Sequence, residues 1–266
     1  MMTDMKLTFA IALTALPACQ RASAQVSQEQ PLPPTVAAAR KPATDTTPPP
    51  QSVAGRCAGL PTSAQLQELL RAAPGLGGDA GGLTGGKFEW GAVVNREGEL
   101  CAVAVATDDA SAAWPGSQAI AKAKAYTANA FSTDSAPLST ARLYTLSQPG
   151  HSLWGIAAGN PLNPECLSAP SEPRGLGKVC GGTIAFGGGV PLYHDQKRIG
   201  GLGVSGDTAC ADHEIAKRVR STARLDPPSG PEADDVIYAQ LDPPSVYAHP
   251  MCPNTWRNGK KLGDEH

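Results

Sequence analysis

Twice in this chain, two runs of strand-forming residues flank a short polar turn, and no other feature restricts the fold as much. Residues 89–95 and 100–106 lie on either side of Arg96-Glu97-Gly98, and residues 190–194 and 198–204 flank Asp195-Gln196-Lys197. Such spacing makes hairpins. A hairpin joins antiparallel strands, whereas parallel neighbours need a long crossover. One more strand is expected at 183–186, and the Pro-rich tail holds another at 236–241. Helical periodicity accounts for the intervening segments. Leu66, Leu69 and Leu70 fall at i, i+3 and i+4 within 62–73, with Pro61 before them and Pro74-Gly75 after. Residues 117–131 put Ile120, Ala123, Tyr126, Thr127 and Ala130 on one helical face, 139–147 suggest a shorter helix, and 208–223 form the last. The expected class is α+β: a central antiparallel sheet of about five strands with helices packed on it.

The flanks differ in kind. Lys6 precedes an apolar run from Leu7 to Ala18, too short to span a bilayer and of signal-peptide length. Two exits follow it and both stay open: an A-x-A site, Ala22-Ser23-Ala24, with cleavage before Gln25, and a lipobox-like Leu16-Pro17-Ala18-Cys19 that would lipidate Cys19. The expected organisation is a signal peptide at 1–24, a Pro-, Ala- and Thr-rich disordered spacer at 25–55, a domain at 56–225 and a Pro-rich C-terminal extension at 226–266. The destination is periplasmic or secreted, with a membrane-anchored lipoprotein as the second outcome.

Seven cysteines are present. Either exit sets Cys19 apart and leaves Cys57, Cys101, Cys166, Cys180, Cys210 and Cys252. An even set in an exported chain predicts disulfides, although sequence does not choose among their connectivities. The expected pairing is Cys166–Cys180, closing the long loop at 149–178, then Cys57–Cys252 and Cys101–Cys210. There is no C-x-x-C pair, which argues against a zinc ribbon, a thioredoxin site or c-type haem attachment.

Other classes are disfavoured. A formal net charge of −2, with no long basic run, argues against nucleic acid. No second apolar stretch reaches membrane-spanning length. Neither G-x-S-x-G nor H-E-x-x-H occurs. Asp108 and Asp109 are adjacent and would point to opposite faces of a strand. Ser205 sits where a nucleophile would, but no feature assigns it a histidine. An enzyme is therefore the less favoured class. Gly201-Leu202-Gly203-Val204-Ser205-Gly206 is a literal G-x-G-x-x-G. Its strand belongs to a hairpin and not to a βαβ unit, which argues against a dinucleotide site. Two readings remain: a tight strand-to-helix turn, or an anion site on the free N–H groups of the helix start.

Three blocks taken together resemble a known family. They are Val93-Val94-Asn95-Arg96-Glu97-Gly98-Glu99-Leu100; Ala119, Lys122, Ala123, Thr127, Ala128 and Phe131; and Gly189-Val190-Pro191-Leu192 with Ile199 to Gly206 and Asp212 to Ala216. In this order they are similar to the GlcG/HbpS haem-binding family, across roughly 88–222. The resemblance implies a small α+β domain, homo-oligomers and, in some members, non-covalent haem. One departure is visible. The family often has an "R-x-D-G-A" turn, whereas Ala106-Thr107-Asp108-Asp109-Ala110 lacks its Arg and Gly.

Haem needs an apolar slot, cations for its propionates and often an axial donor. The cofactor-binding candidates are Ala119, Ala123 and Tyr126 as a wall, Lys122 and Lys124 as cations, and Gly203, Ser205 and Gly206 at the helix start. His213 and His194 are the candidate axial ligands; His151, His249 and Met251 are weaker. Each has a plainer alternative, since helix lysines and turn histidines are commonly solvated. The expected function is an exported haem-binding or haem-handling protein. The alternatives are a non-haem ligand-binding or accessory subunit of a periplasmic redox system, and an enzyme acting on haem or a small acid.

Overall fold

The computed structural model describes residues 52–168 and 174–265. The expected signal peptide, Cys19 and residues 25–51 of the expected spacer lie outside the described residues. The α-helices are α1 (Val53–Arg56), α2 (Ser63–Ala72), α3 (Ser117–Phe131), α4 (Ile156–Gly159) and α5 (Ala209–Thr222). The strands are β1 (Trp90–Asn95), β2 (Leu100–Val105), β3 (Gly189–His194), β4 (Lys197–Ser205), β5 (Ile237–Tyr238), β6 (Ala248–His249), β7 (Thr255–Arg257) and β8 (Lys260–Gly263). The first four strands form one antiparallel sheet in the order β2-β1-β4-β3.

The class is α+β as expected, with four strands in the central sheet and not five. Residues 183–186 do not pair as a strand. The Ile184 N–H donates to the Thr127 hydroxyl at 3.0 Å, so this segment is held against α3. The helix expected at 139–147 is two 3₁₀ turns, Thr140–Leu143 and Thr145–Ser147. There the Thr140 hydroxyl accepts the Gly189 N–H at 2.8 Å, binding the first turn to the start of β3.

Helices cover the sheet on both faces, which explains why every residue of β1 is buried. Leu66 and Leu70 of α2 and Ile215, Ala216 and Val219 of α5 share a core with Val93, Leu202 and Val204 on one face. Ala121 and Ala125 of α3 join Trp90, Ala92, Val94 and Val103 on the other. Gly201 and Gly203 of β4 belong to this second face. A methyl group on Gly203 would lie 2.0 Å from the Ala121 carbonyl oxygen, and one on Gly201 2.3 Å from that of Ala125. They are small because α3 lies directly on the strand, a packing use of glycine and not a ligand loop.

All six cysteines expected to pair do so. Cys166–Cys180 closes the long loop, as expected. The other two expected pairs are corrected: Cys57 bonds Cys101, and Cys210 bonds Cys252. The short α1 lies beside the β1–β2 hairpin, where the Arg56 Nε donates to Glu99 at 2.7 Å, and this brings Cys57 to β2. The extension returns to the first turn of α5, which places Cys252 on Cys210. Each closed loop removes freedom from the unfolded chain and contributes roughly 2–4 kcal/mol if unstrained.

Candidate functional site

Helix α3 carries half of the sequence-derived site, and it is enclosed. Lys122 and Lys124 do not reach solvent; both are fully buried. Lys122 donates to Gln118 Oε1 at 3.0 Å and to the carbonyls of Cys166 at 2.6 Å and Arg174 at 3.0 Å. It thereby fastens the long loop over the helix, and burial pulls its ammonium pKa down to about 8. Lys124 points the other way, donating to Asp212 Oδ2 at 2.6 Å and the Val204 carbonyl at 3.0 Å, with its ammonium 4.9 Å from the Phe186 ring centre. Neither lysine is free to meet a propionate in this arrangement.

Ala119 and Tyr126 are partly exposed. Ala123 is buried against Gly182, and Tyr126 lies against Gly98. Gly203 sits beneath the opposite face of α3, against Ala121 and Lys124. The backbone of α3 therefore separates the expected wall from the expected glycine contact.

Ser205, Gly206 and the start of α5 are buried, and their donors are taken. Asp212 Oδ1 accepts the N–H groups of Gly206 at 3.1 Å and Asp207 at 2.9 Å. The Thr208 hydroxyl caps the helix by accepting the Ala211 N–H at 3.3 Å. Cys252 Sγ accepts the Cys210 N–H at 3.2 Å. The anion expected at this helix start is the chain's own Asp212. In turn, Asp207 accepts N–H groups from Leu83 at 2.6 Å and Thr84 at 2.8 Å, folding the glycine-rich loop onto the same turn.

Glu89 completes this buried cluster. It is fully buried, and neither carboxyl oxygen has a hydrogen-bond partner. Burial first, then the charge of Asp212, raises its pKa well above the ordinary carboxylate value of 4.5. Asp212 carries the negative charge because Lys124 and two backbone N–H groups donate to it, and Glu89 keeps its proton. The native state thus holds a proton that the unfolded chain releases above about pH 4.5. Glu89's contribution is full below that pH and is lost as pH rises toward its raised native value. Denaturant midpoints measured from pH 4.5 upward should therefore fall less steeply for Glu89→Gln than for wild type. Equal slopes would place the proton elsewhere.

The histidines separate cleanly. His194 is exposed at the β3–β4 turn, its Nε2 3.4 Å from Asp195. His213 is fully buried, its Nε2 3.6 Å from Asp235 Oδ1, and neither ring nitrogen has a hydrogen-bond partner. His151 is exposed, and Met251 is buried with Tyr238 and Cys252. His249 is buried, its Nδ1 2.6 Å from the Pro250 carbonyl oxygen, and burial lowers its pKa to about 4.

Among the clefts of the described surface, one of about 710 Å³ lies between α2 and the end of α5, and three others hold about 500 Å³ each. Leu60, Leu69, Ala72 and Leu225 line it, together with Glu68. None of the four is lined by histidine, tyrosine, cysteine or methionine. Sequence reasoning missed the charges that bind the extension to α5. Arg220 grips Asp234 through two 2.8 Å bonds, both side chains fully buried. Lys217 donates to Asp235 at 2.7 Å. The adjacent Asp234-Asp235 pair, facing a basic Lys217-Arg218-Val219-Arg220 stretch, was the available signal. Arg71 of α2 supplies what the Ala106–Ala110 turn lacks: its Nε donates to the Ala106 carbonyl at 2.9 Å and it pairs with Asp108.

A family model described as "Haem degrading protein HbpS-like" matches residues 91–220. Three solved structures are similar over most of their own length. A Klebsiella pneumoniae protein, ORFY, of family model DUF336 is 22% identical with a TM-score of 0.42, covering 61% of this chain and 88% of that one. A PduOC:haem complex is 25% identical with a TM-score of 0.40, covering 59% and 88%. HbpS is 21% identical with a TM-score of 0.38, covering 61% and 89%. No curated protein matches the chain.

Proposed function

The domain at residues 91–220 belongs to the HbpS-like family, and from that premise we propose that this protein binds or handles haem outside the cytoplasm. The family match carries the haem reading. The apolar N-terminal run and the three disulfides support export to an oxidising compartment.

The four clefts of a single copy do not fit haem. They lack an axial donor, and the largest presents Glu68 where propionates would want a cation. His213 has two unpartnered ring nitrogens, but the packed protein closes them off. His194, exposed at the β3–β4 turn, is a donor that a planar ligand reaches without backbone movement. The proposal therefore sets haem on open surface, with His194 as its donor and a second copy covering it. Among the described residues no helix is long and apolar enough to cross a membrane.

Hemin titration of the oxidised mature protein tests this reading. A saturable Soret band is expected. His194→Ala should shift its maximum, whereas His213→Ala should leave it in place. A shift confined to His213→Ala would mean that the extension opens to admit the ligand. Wild-type binding no stronger than nonspecific surface adsorption would move the assignment to the second reading, a non-haem ligand-binding or accessory subunit of a periplasmic redox system.

A further inference from the structure

Cys210 and Cys252 are joined where a metal ion would find three ligands. Their two sulfurs and one ring nitrogen of His249 all lie within 4.8 Å of one another, and all three residues are buried. A tetrahedral zinc ion with two sulfur ligands and one nitrogen needs separations of about 3.3–3.8 Å. Once the disulfide is cut, the two sulfurs have to move apart from their bonded contact to reach that spacing, while the ring nitrogen is already close by. We propose that Cys210, Cys252 and His249 form a redox-gated site for a thiophilic divalent cation such as zinc, closed while the disulfide is intact and opened by a dithiol reductant.

Three local features prepare these atoms for the reduced state. Cys210 is the second residue of α5, where the helix dipole favours a thiolate. Its own N–H already points at Cys252 Sγ, 3.2 Å away, so both sulfurs sit at the positive end of the same helix. The third feature is the orientation of His249. The Pro250 carbonyl oxygen, 2.6 Å from Nδ1, holds the proton there, and Nε2 accepts the Gly187 N–H at a long 3.3 Å. With Nδ1 engaged by that carbonyl, Nε2 carries the one lone pair of the ring, and a cation would take it over from the Gly187 N–H. Ala141, Val236, Tyr238 and Met251 surround the cysteines with apolar surface.

The chemistry balances. Cys252 is 8% exposed and Cys210 1%, so the dithiol's thiolate attacks the Cys252 sulfur. The S–S bond breaks and Cys210 leaves as a thiolate, a departure that its place at the helix start favours. The dithiol's second sulfur then displaces Cys252. The dithiol becomes a disulfide, the protein gains two electrons, and two protons pass to the new thiols. A divalent cation releases those two protons and takes two thiolates, one neutral imidazole and a water.

The test uses the mature chain, oxidised or reduced with a phosphine that is then removed without air, and cobalt(II) as the probe. The oxidised protein should show no thiolate-to-cobalt charge transfer. The reduced protein should bind cobalt with that band and with the visible absorption of a tetrahedral ion. Cys210→Ser with Cys252→Ser should abolish the band, whereas Cys166→Ser with Cys180→Ser should retain it. His249→Ala, which keeps both sulfurs, should weaken binding about tenfold or more. A reduced wild type without the band overturns the site. So does a band that survives loss of Cys210 and Cys252, or an unchanged affinity in His249→Ala.

Discussion

Replacing Arg220 with alanine should cost about 3–5 kcal/mol, because it strands a buried carboxylate. Asp234 is as inaccessible as Arg220 itself. The guanidinium makes two parallel 2.8 Å bonds to Asp234 and also donates to the Pro231 carbonyl at 2.8 Å and Asp226 at 3.2 Å. These partners all lie in the extension, so one side chain of α5 organises the chain after residue 225. Without it, Asp234 must either remain charged in an apolar setting or take up a proton, and both are costly. Lysine should rescue little, since a single ammonium cannot reproduce the planar fork. Chemical denaturation of Arg220→Ala and Arg220→Lys would measure this. A loss under 1 kcal/mol in either variant would show that the pair is dispensable.

Lys124→Met should be comparably damaging, about 3–5 kcal/mol, for the same reason on the opposite face of the sheet. Asp212 would keep its two backbone donors and lose the ammonium of Lys124, with Glu89 close by to raise the cost further. For a domain of this size that corresponds to a melting-temperature drop of roughly 6–20 °C. Lys124→Met combined with Asp212→Asn removes both charges and should recover part of the loss, because an uncharged pair has less desolvation to offset. Additive losses in that cycle would mean that the two side chains do not depend on each other.

Much of the scaffold was legible because its signals are local. Arg96-Glu97-Gly98 announced a hairpin, and Gly98 adopts φ +83° there. The spacing around Leu66 and Leu70 located α2, and its start bears a reciprocal Thr62–Gln65 capping box. Helices α3 and α5 fall within a residue of their expected bounds for similar reasons. Asn258-Gly259, between β7 and β8, is an equally local hairpin signal. It was passed over because the extension around it reads as a Pro-rich tail.

The candidate site was much less legible, because each of its side chains depends on what lies across from it. A lysine in a helix reads as solvated, and Lys122 and Lys124 would be so if α3 had one open face. The sheet covers one side of it and residues 160–168 and 174–183 the other, so both ammonium groups turn inward to carbonyls and to Asp212. Cysteine count alone established that six thiols would pair, but the partners of Cys57 and Cys252 depended on where α1 and the extension pack. His213 and His194 look alike in sequence, and only packing buries one and exposes the other. By itself the sequence determined the elements, because turns, caps and periodicity act over a few residues. The tertiary structure decided which charges are buried, which cysteines meet and which donors are already taken, because these depend on distances between segments that no local pattern encodes.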